Sequence, residues 1–157
     1  MKINLLSVFF LLIYCLIVGC STNISTNSLN IKVEFTKIDS WLNLMPLSGH
    51  KYYVAGEYTV KNNTDSTIKN LELKQIKIYQ NKKLLYSFTP VVTDVTMLES
   101  AVLAPRQTRN YKFGTAPGLV QKSELDNEKN ISLKFAFMAG DKFLELTTEN
   151  IKIEKVY

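Results

Sequence analysis

The groups in this chain with reactive chemistry are few: the thiols of Cys15 and Cys20, the single imidazole of His50, and acidic residues at short spacing. An imidazole can activate a hydroxyl when a carboxylate orients it, and Asp39, Ser40 and Ser48 lie near His50 in the sequence. No Gly-x-Ser-x-Gly nucleophile turn accompanies them, so His50 reads as a surface or edge residue. Glu124, Asp126 and Glu128 are spaced two apart, a pattern that can offer oxygens to Ca²⁺. The glycine turn and the further acidic ligand of a calcium loop are absent, and Lys122 and Lys129 flank the group, so it reads as a solvated loop without metal. Asp94 and Glu99 are the carboxyl types used in glycoside hydrolysis when held about 5–9.5 Å apart, but no surrounding pattern sets them across a cleft. The reading is a protein that is not an enzyme and needs no cofactor.

Cys20 is different. Met1-Lys2 leads into an apolar run from Leu5 to Val18, broken only by Ser7 and Tyr14, and the run ends in Ile17-Val18-Gly19-Cys20. This is the layout of a secretory signal with a small-residue cleavage site, and it falls short of the roughly 20 apolar residues of a spanning helix. The segment resembles the lipobox of bacterial lipoproteins, with Ile17 standing where Leu is commonest. That resemblance implies cleavage between Gly19 and Cys20, palmitate-class acylation of Cys20, and attachment of the mature chain to a membrane of the bacterial cell envelope. Ser21 is similar to the residue found there in outer-membrane lipoproteins, should the source be Gram-negative.

Removing residues 1–19 from the 157-residue chain leaves 138, enough for one domain with a core. Loss of Lys2 takes the net charge from +5 to +4. The lysines are spread thinly, with no run longer than Lys82-Lys83, which argues for a solvated surface and against a nucleic-acid partner. Cys15 leaves with the signal and Cys20 carries the anchor. The remaining domain holds no cysteine, and therefore no disulfide, thiol nucleophile or sulfur-ligated zinc.

Residues 20–30 are the anchor cysteine and a small polar tether, Ser21 to Asn30, able to span roughly 30 Å when extended. From Ile31 to Tyr157 the pattern has period two. Ile31, Val33 and Phe35 predict a first strand; Tyr52, Val54, Gly56, Tyr58 and Val60 predict a second, ended by the turn formers Asn62 to Ser66. Leu71 and Leu73 have the opposite parity to Ile76 and Ile78, which predicts a β-bulge or break near Lys74-Gln75. A hairpin turn is expected at residues 80–83, strands over 84–88 and 91–98, a turn at 103–108, and strands around Tyr111, Ile131–Phe137, Leu144–Leu146 and Ile151–Val156. The polar segment 121–130 reads as a loop. Seven to nine short antiparallel strands without a helical period predict an all-β class and a single β-sandwich.

Val54-Ala55-Gly56-Glu57-Tyr58-Thr59-Val60-Lys61-Asn62-Asn63-Thr64 resembles the "G-x-V/Y-x-V-x-N-x-T/S" strand and turn of immunoglobulin-like domains in small bacterial envelope lipoproteins. The hairpin 78–82 and the turn 103–108 are similar to features of those domains. The resemblance covers residues 54–113 and implies an immunoglobulin-like sandwich, in a family made up mostly of non-catalytic adapters.

One segment stands out between the first two expected strands. Asp39 to His50 holds Trp41, Leu42, Leu44, Met45, Pro46 and Leu47. Such residues either close the open end of the sandwich or form an apolar patch for a partner; Trp41, Leu42, Leu44, Met45 and Leu47 are the candidate partner-binding residues. Gly114 to Val120 can supply a second apolar loop, if the topology brings the two together. The functional expectation is a membrane-anchored module that binds or assembles with another envelope protein. The alternative is a surface inhibitor or exclusion protein that blocks a hydrolase or a competing element. The mass of the protein recovered from native membranes should show loss of residues 1–19 and a diacyl or triacyl adduct, both absent from Cys20→Ala. An unmodified chain in the wild type would sink the anchor.

Overall fold

The computed structural model describes residues 30–45, 49–95 and 102–157. Within them the period-two alternation becomes strands with one buried face: β1 (Ile31–Asn43), β2 (Lys51–Asn62), β3 (Glu72–Gln80), β4 (Lys83–Phe88), β5 (Val91–Asp94), β6 (Thr108–Gly114), β7 (Leu119–Val120), β8 (Ile131–Ala139), β9 (Lys142–Ile151) and β10 (Glu154–Val156). One sheet has the order β10-β1-β2-β6-β5, with β7 also paired to β2, and the other has the order β4-β3-β8-β9. Every pairing is antiparallel except β1 with β10. The order β1-β2-β6-β5 opposite β4-β3-β8-β9 matches the A-B-E-D and C-F-G order of immunoglobulin sandwiches, with β4 added beside β3. Of the ten strands, β7 is the one no expected segment foresaw, two residues long and too short to show an alternation, while β10 lies within the strand expected over Ile151–Val156.

The expected punctuation lies where the turn chemistry requires it. Asn81 and Lys82 both have positive φ, the two-residue turn that matches strand twist. Gly140 has φ +60° at the first position of the β8–β9 turn. The parity change in β3 is a register shift against β8 between Leu73 and Gln75, which lets Leu73 and Ile76 both point inward. Of the strand expected over 91–98, β5 covers Val91–Asp94, and residues 96–98 lie outside the described residues.

The first strand requires a correction. It does not stop after Phe35 but runs on to Asn43, so Trp41 and Leu42 belong to β1 and not to a connection. A second bulge is responsible: the β1–β2 register shifts between Phe35 and Lys37, so Thr36 is skipped. Phe35 and Ile38 then both face the core, followed by Ser40 and Leu42. A polar Ser40 at an inward position hid this continuation. Its hydroxyl is buried and paired with the Tyr52 hydroxyl at 2.6 Å, which removes the cost of burying it.

The two sheets meet through aromatic rings. Phe35 of β1 and Phe135 of β8 lie 4.2 Å apart between centroids, Tyr58 meets Phe137 at 5.3 Å, and Phe113 meets Phe135 edge-on at 5.5 Å. Gly56 is the position this crowding dictates. A Cβ there would lie 2.5 Å from the Lys37 carbonyl oxygen and 2.7 Å from the Phe113 ring. At the other end of β2, buried Asn62 donates from Nδ2 to the carbonyls of Ser66 (2.8 Å) and Ala104 (3.0 Å) and accepts from the Thr64 amide (2.9 Å) and hydroxyl (2.7 Å). The Asn-x-Thr pair thus clamps the turn at 103–107 onto the β2 terminus.

Gly56→Ala should lower the unfolding free energy by about 1–3 kcal/mol, the range for overpacking. Gly114→Ala, whose added Cβ meets only ordinary contacts at 3.7 Å or more, should stay within about 1 kcal/mol of wild type. Urea unfolding of both variants checks the contrast.

Candidate functional site

The acidic and hydroxyl candidates are dispersed. Asp39 and Ser40 are adjacent in β1 and therefore project to opposite faces. Ser40 is buried against Tyr52, whose own hydroxyl burial pushes far above its usual range, whereas Asp39 pairs with Lys37 at 2.7 Å on the outer face. His50 is exposed, and Ser48 lies outside the described residues. Each acid of the 124–128 loop faces a lysine: Glu124 meets Lys83 at 3.7 Å, Asp126 meets Lys129 at 3.0 Å, and Glu128 pairs with Lys155. The Lys129 ammonium and the Glu128 amide hold the Asp126 carboxyl below its usual range. Among the described residues no three His, Cys, Asp or Glu side chains are grouped to hold a metal. Asp94 is almost buried and lies 3.5 Å from the Arg109 guanidinium, while Glu99 is outside the described residues.

The apolar candidates divide. Leu42 has no exposed surface and Leu44 packs on the core, so these two close the sandwich. Trp41 projects the opposite way, onto the outer face of the β1-β2 sheet, and Met45 is 45% exposed. Leu47 lies outside the described residues, as do Gly19 and Cys20.

Trp41 is opposite Tyr53 in the β1–β2 register, and their rings stack with centroids 5.3 Å apart and planes 8° from parallel. Gly118 sits against the Tyr53 ring, where a Cβ would overlap it. The segment 114–120 therefore adjoins the Trp41 segment, joined to β2 through the pairings Lys51–Val120 and Tyr52–Leu119. Val120 is 76% exposed beside Lys51, and Val156 of β10 is exposed beside Asn43. Ala55 and Gly114 form a low floor next to Tyr53, with Val91 exposed beyond. Trp41, Tyr53, Val120, Val91 and Val156 thus line one outer face, bordered by the Lys37–Asp39 and Glu57–Lys112 ion pairs. Large aromatics ringed by charge are the composition of protein-binding surfaces. Rising about 3.3 Å per residue, β1 carries Trp41 about 30 Å from Ile31, where the strand begins.

Tyr53 was not among the sequence candidates, whereas Val120 belongs to the 114–120 segment expected as a second apolar loop. The available signal for Tyr53 was an aromatic residue at an outward position of the strongest alternation. For Val120 the sequence offered the apolar segment but not its pairing with β2, because a two-residue strand has no pattern.

No family model and no curated protein matches the chain. Among solved structures, it is similar to the X-ray structure of the Northeast Structural Genomics Consortium target SoR45, at 15% identity and a TM-score of 0.45, covering 78% of this chain and 87% of that one.

The two neighbours in β1 separate core from surface. Leu42→Ala should cost about 2–5 kcal/mol of stability, and Trp41→Ala about 1 kcal/mol through the lost ring stack. Since Trp41 is the single tryptophan, loss of its fluorescence in the second variant and a urea titration followed by circular dichroism read both effects.

Proposed function

We propose that the chain is a membrane-anchored lipoprotein of the bacterial cell envelope whose sandwich is a non-catalytic binding module for another envelope protein. The observation that carries this reading is the stacked Trp41–Tyr53 pair on an outer sheet face that also carries exposed Val120 and Val156. Its position adds to it. The lipobox-like Cys20 and the polar tether precede Ile31, and the aromatic pair stands at the opposite end of β1, so the anchor holds one end and the apolar face is presented away from the bilayer. Burying such a ring pair against a partner removes apolar area from water at about 25 cal/mol per Å², and aromatic rings lose little conformational freedom in the process.

A photo-reactive amino acid at position 41 tests this in intact envelopes, with the same residue at position 32 as the control near the tether. Irradiation should give one discrete protein adduct from position 41 and none from position 32. Equal labelling from both positions, or none from position 41, would sink the assignment.

A further inference from the structure

On the sheet opposite the Trp41 face, at the same end of the molecule, is a groove of about 180 Å³ lined by Ile131 and by Tyr79, Asn81, Asn130, Ser132, Glu149 and Asn150. We propose that this groove binds a saccharide unit.

The lining is polar, and its chemistry suits neutral hydroxyls. Each of the three asparagine amides presents both donors and an acceptor, Ser132 can donate or accept, and the Glu149 carboxylate only accepts. Asn81, Asn130, Glu149 and Asn150 are all exposed, so their amide and carboxylate groups are open to a ligand. Tyr79 supplies a ring, half-buried in β3 between Leu84 of β4 and Ser132 of β8, against which the C–H face of a sugar can rest. The single charge in the lining is negative, which disfavours phosphate and sulfate ligands. The nearest lysine on β8, Lys134, is committed to Glu145.

The groove is also built beforehand. Asn81 and Asn150 hold positive φ values of 50° and 62°, positions fixed by the β3–β4 turn and by the register shift at the end of β9. The loop carrying Asn130 is pinned by Gln80, whose buried amide donates to the carbonyls of Asp126 (2.7 Å) and Lys129 (3.0 Å) and accepts from the Asp126 amide (2.9 Å). Groups arranged in advance bind without the entropy of ordering them. A surface that reads saccharide on one sheet and protein on the other would place its partner next to wall or surface glycan.

The test is a titration of the full-length protein with a β-1,4-linked N-acetylglucosamine tetramer and, separately, with maltotetraose, followed by amide NMR. Saturable shifts of the Asn81, Asn130 and Asn150 side-chain amides with at least one sugar are expected. The double variant Asn81→Gly, Asn150→Gly keeps both positive-φ turns, since glycine adopts them readily. It should weaken binding about tenfold, the effect of losing one to two hydrogen bonds, while the rest of the spectrum is retained. No saturable shift with either sugar, shifts confined to the Trp41 face, or unchanged affinity in the double variant would overturn the proposal. Cross-linking from position 41 is independent of all three results, so the protein-binding reading stands or falls separately.

Discussion

Two sheets without a cysteine between them must be held face to face by packing alone, and the contact of Phe35 with Phe135 brings two rings across that interface to 4.2 Å between centroids. The residues around it alternate between sheets: Tyr58 and Phe113 from one, Phe137 from the other. Nothing cross-links this core in place of a disulfide, so the fit of the rings sets the spacing of the sheets. That fit leaves no room at Gly56, and the bulge at Thr36 brings the Lys37 carbonyl against the same glycine. Bulge, glycine and rings are one steric solution, in which a change to any member displaces the other two.

The rest of β1 depends on that solution. Skipping Thr36 turns Ile38, Ser40 and Leu42 inward and, by the same pleat, turns Trp41 outward onto Tyr53. Without the bulge, the parity would be reversed, with Trp41 in the core and Leu42 in water. The candidate partner face is thus a consequence of how the core is packed at the other half of the strand. Stability and presentation of the aromatic pair are coupled through the backbone of a single strand.

Polar side chains do for the loops what rings do for the sheets. Asn62 clamps the 103–107 turn at the Ile31 end, and Gln80 pins the 126–129 loop at the far end. Arg109 and Asp94 are enclosed together at the β5–β6 edge. Asn62 and Gln80 are buried polar groups matched by backbone amides and carbonyls, the condition under which burial is tolerated. The far end carries both the Trp41 face and the Tyr79 groove on strands and their tight turns, while Ile31 begins β1 at the other end.

Much of the architecture was legible in the residues. Alternation marked the long strands, Asn81-Lys82 and Gly140 marked the hairpins, and the parity change between Leu73 and Ile76 marked a bulge. The polar character of 121–130 marked a loop, though not that Leu125 is buried in it or that Gln80 holds it. The length of β1 was not legible, because a bulge and a buried serine break the local pattern and only the partner strand supplies the register and the Tyr52 hydroxyl. The candidate site was half legible. Trp41 and Met45 were evident by type, but Leu42 lies in the core, and Tyr53, Gly118 and Val120 join Trp41 only through the β2 and β7 pairings. Local sequence determines which residues alternate and where the chain turns, since those depend on neighbours one to four positions away. Which residues share a face, and which of two adjacent large side chains meets water, was decided by contacts across strands that lie far apart in the chain.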